Sequence, residues 1–192
     1  MKCKFPDSFF DDYENSPQRS SQYILDGQVM REYLLRGTVC DIGCGLGNFL
    51  ETIDWDGDKF GMEVNELAKM RSKSRGISFE KDIFSEDDYF DAVIFRGTLQ
   101  HIDTPFLYLK QAFRILRKGG HLFIFSCPNS DSPVYRLKKN LPFIDFDTCF
   151  WIPDEKSLKH SLSNFGFEIV STRKPYLGTP YAKPITDHLK FL

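Results

Sequence analysis

Short apolar runs and amphipathic stretches follow one another along most of the chain. Six apolar runs have the length and the β-branched or aromatic content of strands: 39–42, 59–64, 77–80, 89–95, 121–127 and 167–172. Around them, apolar residues recur at helical spacing over 21–35, 48–53, 65–74, 104–118 and 153–165. Strands that alternate with helices are typical of an α/β fold with parallel strands and right-handed crossovers. We therefore predict a three-layer sandwich, with helices on both faces of a mostly parallel sheet of six or seven strands.

Polar residues and glycines mark where two of these helices begin and end. Asn65 can cap the helix that follows the second strand, and Gly76 can stop it. Thr104 and Pro105 suit the cap and the first position of the next long helix. The Lys-Gly-Gly sequence at 118–120 is expected to end that helix.

Three regions lie outside the alternating pattern. Residues 1–36 combine one helix with an aromatic, acidic arm, whose rings either close over a pocket or dock by hydrophobic contact. Residues 128–151 form a long connection rich in proline, basic and aromatic residues. Because connections of this length are usually functional, we predict a lid over an acceptor substrate, with a helical turn at 134–140; packing without ligand contact is the alternative. Residues 174–192 form a tail, so the central domain spans 37–173.

Composition narrows the classes of protein that fit the chain. With 192 residues, 41% of them hydrophobic and 15% aromatic, it is long enough for one domain with a substantial core. Its net charge of −2 gives no basic footprint for nucleic acid, and no run of about 18 apolar residues predicts a membrane span. Five cysteines without a Cys-x-x-Cys pair, and no apolar segment of a secretory signal, predict a cytoplasmic protein.

The stretch from Val39 to Leu50 has the pattern of a strand, a tight turn and a helix. Three glycines alternate with other residues over 43–47, which lets the backbone turn sharply and approach a ligand. The dinucleotide fingerprint Gly-x-Gly-x-x-Gly would need glycine at Asn48, so a loop that cradles pyrophosphate is not favoured. Asp41 at the strand end is instead suited to a ligand with a cationic amine or sulfonium group.

The sequence Asp41-Ile42-Gly43-Cys44-Gly45-Leu46-Gly47 resembles the first signature of class I S-adenosylmethionine (SAM)-dependent methyltransferases. The resemblance continues through Glu63, Asp82 and the stretches 90–103 and 114–128, so it covers roughly 37–173. It implies the Rossmann-like fold of that family, SAM as cofactor and S-adenosylhomocysteine as its product. A seventh, antiparallel strand usually ends that fold, and no segment after 172 has the pattern for it.

The resemblance also implies which residues bind the cofactor, at the carboxyl edge of the sheet where open parallel sheets hold ligands. They are Asp41, Gly43, Cys44, Gly45, Glu63, Val64, Asp82, Ile83, Arg96 and Gly97. Asp41 and the carbonyls of Arg96 and Gly97 are expected near the methionine amine, and the glycines near the methionine backbone. Glu63 is expected on the ribose hydroxyls and Asp82 on the adenine amine, with Val64 and Ile83 along the adenine ring.

His101 is the candidate catalytic residue, because it follows the fourth strand on the acceptor side and its ordinary pKa suits a general base. A capping or packing role is the alternative. No Asp/Asn-Pro-Pro-aromatic motif follows that strand, which disfavours amino methylation of bases or glutamine, and no carboxylate–histidine set predicts a metal. The family pattern therefore implies methyl transfer to a small molecule at oxygen, such as a quinone precursor, a sugar or a related metabolite.

Two other functions are compatible with this type of sheet. A nicotinamide-dependent oxidoreductase is disfavoured by Asn48, and a non-catalytic partner or regulatory subunit is disfavoured by the complete set of Asp41, Glu63 and Asp82. We expect a small-molecule acceptor as the partner, no nucleic acid, and a monomer or homodimer.

Overall fold

The structure is a computed structural model that describes residues 5–14, 16–81, 84, 86–139, 141, 145, 147–175 and 179–182. Within them, four strands form one sheet: β1 (Val39–Ile42), β2 (Lys59–Met62), β3 (Phe90–Arg96) and β4 (Leu116–Phe125). The helices are α1 (Asp7–Glu14), α2 (Pro17–Arg31), α3 (Asn48–Thr52), α4 (Glu66–Ser74), α5 (Pro105–Ile115), α6 (Pro133–Lys138) and α7 (Glu155–Asn164), with a 3₁₀ turn at Leu99–His101.

All pairings in the sheet are parallel, and the strand order is β2-β1-β3-β4. Asp41 of β1 lies between Gly61 of β2 and Ile94 of β3. Because all four strands run in the same direction, the turns that follow them lie together at the carboxyl edge of the sheet. This arrangement confirms the predicted α/β class and places the described residues of the predicted site near one edge of the sheet.

The strands are apolar on both faces because helices cover both faces. Phe95 points toward the layer that contains Leu109 of α5 and Leu162 of α7. Its neighbour Ile94 points the other way, toward Met30 of α2 and the residues of α3. The predicted three-layer sandwich is therefore present, and the central strand β3 is buried on both sides.

Two predicted strands are not formed. Residues 77–80 make one parallel bridge, between Ser78 and Phe60, and no longer ladder. Residues 167–172 make no strand pairing within the described chain, although Phe167 and Ile169 pack on the core. An apolar segment becomes a strand only where a neighbour accepts its hydrogen bonds, and β4 pairs with β3 alone among the described residues. The prediction of six or seven strands is therefore corrected to four in this part of the chain.

The boundaries of two helical regions also differ from prediction. The single helix predicted at 21–35 is α2, which begins earlier at Pro17 and ends at Arg31, and the arm before it contains α1. Helix α5 ends at Ile115 rather than near 118, because Leu116 already pairs with Phe90 as the start of β4. The remaining helices lie within a few residues of their predicted bounds. No helix in the described ranges is long and apolar enough to cross a membrane.

Candidate functional site

The turn between β1 and α3 depends on glycine for both its conformation and its space. Gly43 and Gly47 have φ angles of +77° and +79°, which side chains rarely adopt. A Cβ atom at Gly43 would lie 2.2 Å from Cγ2 of Thr98, and one at Gly47 would lie 2.5 Å from Oγ of Ser72. The amide of Gly43 donates to the carbonyl of Met62 at 2.8 Å, which ties the turn to the end of β2.

Asp41 presents a buried carboxyl group beside this turn. The residue is 2% exposed, and its Oδ1 atom has no hydrogen-bond partner among the described residues. Burial raises the pKa of this carboxyl to about 7; Arg96 opposes the rise and Glu63 adds to it. A buried acceptor without a partner costs about 1–3 kcal/mol, which a ligand with a cationic N–H group can recover. The residue therefore fits the amino group that the resemblance implies.

Glu63 follows β2 and holds the turn to the next helix. Its Oε2 accepts from the amide of Gly45 at 2.9 Å. Its Oε1 accepts from the amides of Val64 at 2.7 Å and Asn65 at 2.9 Å. A carboxylate has about four acceptor positions, so this one retains capacity for a ribose hydroxyl. The spacing of the sequence pointed to the ribose and gave no sign of these backbone contacts.

Four other residues are predicted to contact the nucleoside or line the loop, and the structure describes two of them, Val64 and Cys44. Val64 is 36% exposed at the carboxyl edge, as a residue along an adenine ring would be. Asp82 and Ile83 lie outside the described residues, so their predicted contacts with adenine stay predictions. Cys44 is buried with its Sγ atom 3.9 Å from Oγ of Ser72, and burial raises the pKa of the thiol, which keeps it neutral.

Arg96 contributes a buried side chain that the sequence did not predict to matter. Its Nε donates to Oδ2 of Asp26 at 2.9 Å, and the guanidinium carbon lies 4.2 Å from the centre of the Tyr23 ring. Oδ1 of Asp26 accepts from Nε2 of Gln22 at 2.8 Å. Burial raises the pKa of Asp26, while the Arg96 charge and the hydrogen bonds from Gln22 and Arg96 oppose that rise. This group connects α2 to the carboxyl end of β3.

The backbone carbonyls predicted to face the cofactor amine already accept one hydrogen bond each. That of Arg96 accepts from Oγ1 of Thr98 at 3.3 Å, and that of Gly97 accepts from Nε2 of Gln100 at 2.9 Å. A carbonyl oxygen has two lone pairs and can accept more than one hydrogen bond. Their contact with the amine stays a prediction.

His101 lies in the 3₁₀ turn that follows β3, with its ring orientation set by a hydrogen bond. Its Nδ1 lies 2.9 Å from the carbonyl oxygen of Thr148. Because a carbonyl only accepts, Nδ1 carries the proton and Nε2 keeps its lone pair, toward which Nε2 of Gln100 lies at 3.3 Å. Burial lowers the pKa of His101, and the hydrogen bond to Thr148 and the charge of Asp145 oppose this. A neutral ring with a basic Nε2 is the form that a general base requires.

The N-terminal arm packs over the glycine turn and reaches the histidine. Phe10 of α1 is 5% exposed and packs with Leu46 and Ala68, while Phe5 meets His101 edge-on at 5.1 Å between ring centres. Ion pairs from α1 to α4 include Asp11 with Arg71 at 3.2 Å. The described part of the arm is therefore docked by hydrophobic and ionic contacts next to the crevice. Closure of the arm over a ligand stays a prediction.

The described part of the 128–151 connection packs against the same turn. The amide of Phe150 donates to the carbonyl of Gln100 at 2.8 Å, and the Trp151 ring lies 5.1 Å from that of Phe106. Helix α6 confirms the predicted helical turn, although it begins at Pro133. In the part of the chain that the structure describes, no group of three or more His, Cys, Asp or Glu side chains could hold a metal.

Comparison with protein families gives a match over most of the chain. A model described as "Methyltransferase domain" matches residues 18–172. This range begins in α2, well before the 37–173 covered by the sequence motifs, and so includes the helix that carries Asp26.

Individual relatives and solved structures are similar at modest identity. A crystal structure of a SAM-dependent methyltransferase from Thermotoga maritima, described as a possible histamine N-methyltransferase, is 25% identical with a TM-score of 0.67, over 84% of this chain and 79% of that one. A tRNA U34 carboxymethyltransferase from Campylobacter jejuni is 26% identical, over 71% of this chain and 52% of its own length. A probable tRNA methyltransferase 9B from Homo sapiens is 27% identical, over 51% and 23%. The chain spans about half or less of the length of the curated relatives it matches.

Proposed function

The chain belongs to the methyltransferase-domain family of SAM-dependent proteins, and we propose that it transfers a methyl group from SAM to a small-molecule acceptor, at oxygen. SAM as cofactor and the class I fold are established by this membership. The acceptor and the atom methylated are the proposed part. The observation that supports an oxygen acceptor is the His101 ring, whose Nδ1 proton is held by the Thr148 carbonyl so that Nε2 can take a proton.

The proposed mechanism assigns positioning to the strand ends and proton removal to His101. Bound SAM supplies a methyl group that is already activated by a cationic sulfur. The protein therefore has mainly to align the acceptor with that methyl and exclude water. Asp41 and the glycine turn would hold the amino-acid end and Glu63 the ribose. Nε2 of His101, whose lone pair faces the Gln100 amide in the free protein, would take the proton of an acceptor hydroxyl once that hydroxyl replaces the amide as its partner.

Cofactor affinity is expected to depend on pH through Asp41. Because burial raises the pKa of its carboxyl to about 7 in the free protein, the group is neutral at lower pH and cannot pair with an ammonium ion. The affinity for S-adenosylhomocysteine should therefore rise with pH, by up to about tenfold per unit below pH 7, and level off above it. Calorimetric titrations at several pH values measure this.

The variant Asp41→Asn supplies the control for that dependence. It cannot ionise, so its affinity should be lower than that of the wild type at neutral pH and flat below pH 7. The same raised pKa should make the free wild-type protein lose stability as pH rises through about 7, because the unfolded carboxyl has its ordinary value of 3.8. If the affinity of Asp41→Asn for S-adenosylhomocysteine depended on pH as that of the wild type does, Asp41 would not be part of the amine site.

Replacing His101 with asparagine should lower the rate of methyl transfer without weakening cofactor binding. Asparagine can still donate to the Thr148 carbonyl but cannot take a proton, so a loss of about 10²–10⁴-fold is expected. In the wild type the rate should fall only at acid pH, because burial lowers the pKa of His101. Transfer of labelled methyl from SAM measures the rate. His160→Asn, on the exposed side of α7, is the matched control, and an equal rate in both variants would exclude the base role.

The comparisons raise two other acceptors, and one experiment separates them. The names of two relatives refer to tRNA, and that of the Thermotoga structure refers to an amine. The net charge of −2 supports a small molecule over RNA. Labelled SAM incubated with RNA and with fractionated small metabolites should label the metabolites, and fragmentation of the product identifies the atom. Label in RNA would contradict the proposal. Binding of S-adenosylhomocysteine without label in any fraction would favour a non-catalytic partner.

A further inference from the structure

Helix α2 turns two polar side chains into the interior at the carboxyl end of β3. Gln22 is 8% exposed and Asp26 is 6% exposed, and they lie one helical turn apart. Polar residues at such positions on the inward side of a helix need partners. Asp26 has two, because Nε2 of Gln22 donates to its Oδ1 and Nε of Arg96 donates to its Oδ2.

These contacts fix the orientation of the Gln22 amide. The Asp26 carboxylate only accepts, so the amide nitrogen of Gln22 faces it and the amide oxygen faces away. That oxygen, Oε1, is buried and has no hydrogen-bond partner among the described residues. Gln22 is joined through Asp26 to Arg96, the last residue of β3 at the carboxyl edge of the sheet. A buried acceptor without a partner has the chemistry to receive an N–H donor from a ligand.

Asp41 supplies a second buried acceptor, Oδ1, without a hydrogen-bond partner among the described residues, and the charge of Arg96 acts on its carboxyl group as well. An ammonium group has three donors, which can serve both acceptors and a backbone carbonyl together. The Asp26 carboxylate neutralises the charge of Arg96. An ammonium ion in this region would therefore find hydrogen-bond acceptors without meeting an uncompensated positive charge.

We propose that Gln22 is a direct ligand of the cofactor, with its Oε1 accepting a hydrogen bond from the ammonium group at the amino-acid end of SAM. Asp26 holds the Gln22 amide in the required orientation, and Arg96 holds Asp26. The cofactor site therefore extends from the glycine turn to α2. The inference concerns the cofactor and is independent of the identity of the acceptor.

Two ligands that differ only at the amino-acid end test the assignment. S-adenosylhomocysteine has the ammonium group, whereas 5′-methylthioadenosine has the nucleoside and the thioether without the amino acid. Gln22→Met keeps the side-chain length and removes the acceptor. It should lower the affinity for S-adenosylhomocysteine by about tenfold and change that for 5′-methylthioadenosine by less than about twofold. Gln28→Met, an exposed position on the same helix, should change neither.

The ratio of the two affinities separates a ligand contact from a structural role. If Gln22 only supports α2, both affinities should fall together, and that result overturns the proposal. Equal affinities in Gln22→Met and the wild type for both ligands overturn it as well. If Gln22→Met folds poorly, Gln22→Ala decides by the same ratio, because both ligands are measured on the same folded fraction.

Discussion

The variant Gly43→Ala should lose measurable binding of S-adenosylhomocysteine, whereas Gly76→Ala should bind it as the wild type does. Both glycines have nearly the same left-handed backbone, with φ of +77° and +79°. At Gly43 the new Cβ atom would also lie 2.2 Å from Cγ2 and 3.0 Å from Cβ of Thr98. A β-branched side chain has little freedom at χ1, so the backbone itself has to move. The turn that we propose to hold the amino-acid end of the cofactor would therefore be displaced.

Gly76 isolates the conformational part of that effect. No atom lies within 4 Å of a Cβ atom placed there, so Gly76→Ala should cost only the left-handed conformation, about 1–2 kcal/mol. Gly43→Ala adds overpacking, for a total of about 2–5 kcal/mol of unfolding free energy. Urea unfolding and calorimetric titration of both variants give the two quantities. Equal ligand affinities in the two variants would contradict the role given to the turn.

Removing one partner of the buried ion pair between Asp26 and Arg96 should cost about 3–5 kcal/mol of unfolding free energy. The two side chains are only 8% and 6% exposed. Asp26→Ala leaves the Arg96 charge buried without its carboxylate. The double variant with Arg96→Met should recover part of the loss, because it leaves no uncompensated charge in the interior. Urea unfolding of the three variants measures these differences.

The exposed ion pair between Arg31 and Asp54 is the matched control. Asp54 has 91% of its side chain in solvent, so Asp54→Ala should change the stability by about 0–1 kcal/mol. If Asp26→Ala is no more costly than Asp54→Ala, the group that links α2 to β3 does not stabilise the fold. The orientation of Gln22 would then lose its physical basis.

The glycine turn and its carboxylate could be predicted from sequence because the information is local. Gly43, Gly45 and Gly47 follow Asp41 within a few positions, and their spacing alone specifies a sharp turn after a buried strand. The parallel sheet was predictable for a similar reason, since apolar runs alternate with amphipathic helices. The family resemblance then supplied the cofactor, which the domain match confirms.

The contacts that surround the proposed site are not local, and no sequence pattern indicates them. Asp26 and Arg96 are 70 residues apart, and His101 and Thr148 are 47 apart. Helix α2 buries the polar residues Gln22 and Asp26, and nothing in its sequence distinguishes them from the polar residues on its exposed side. Their burial depends on a partner from another element, which only the folded chain reveals.

The edges of the sheet were mispredicted for a different reason. Residues 77–80 and 167–172 have strand-like apolar patterns, yet a pattern does not show whether a neighbour is present to pair with. Near β4 the error concerned a boundary. The sequence at 118–120 has the form of a helix end, but Leu116 already pairs with Phe90. Cross-strand pairing overrode the local signal there.

Calorimetric titration of the full chain with S-adenosylhomocysteine tests most directly whether the edge formed by Asp41, the glycine turn and Glu63 is a cofactor site. The expected result is saturable binding of one ligand per chain, stronger at neutral pH than in mild acid, and weakened when Asp41 is replaced by asparagine. Folded protein that gives no heat of binding with this ligand or with SAM at any pH would contradict the assignment of the site.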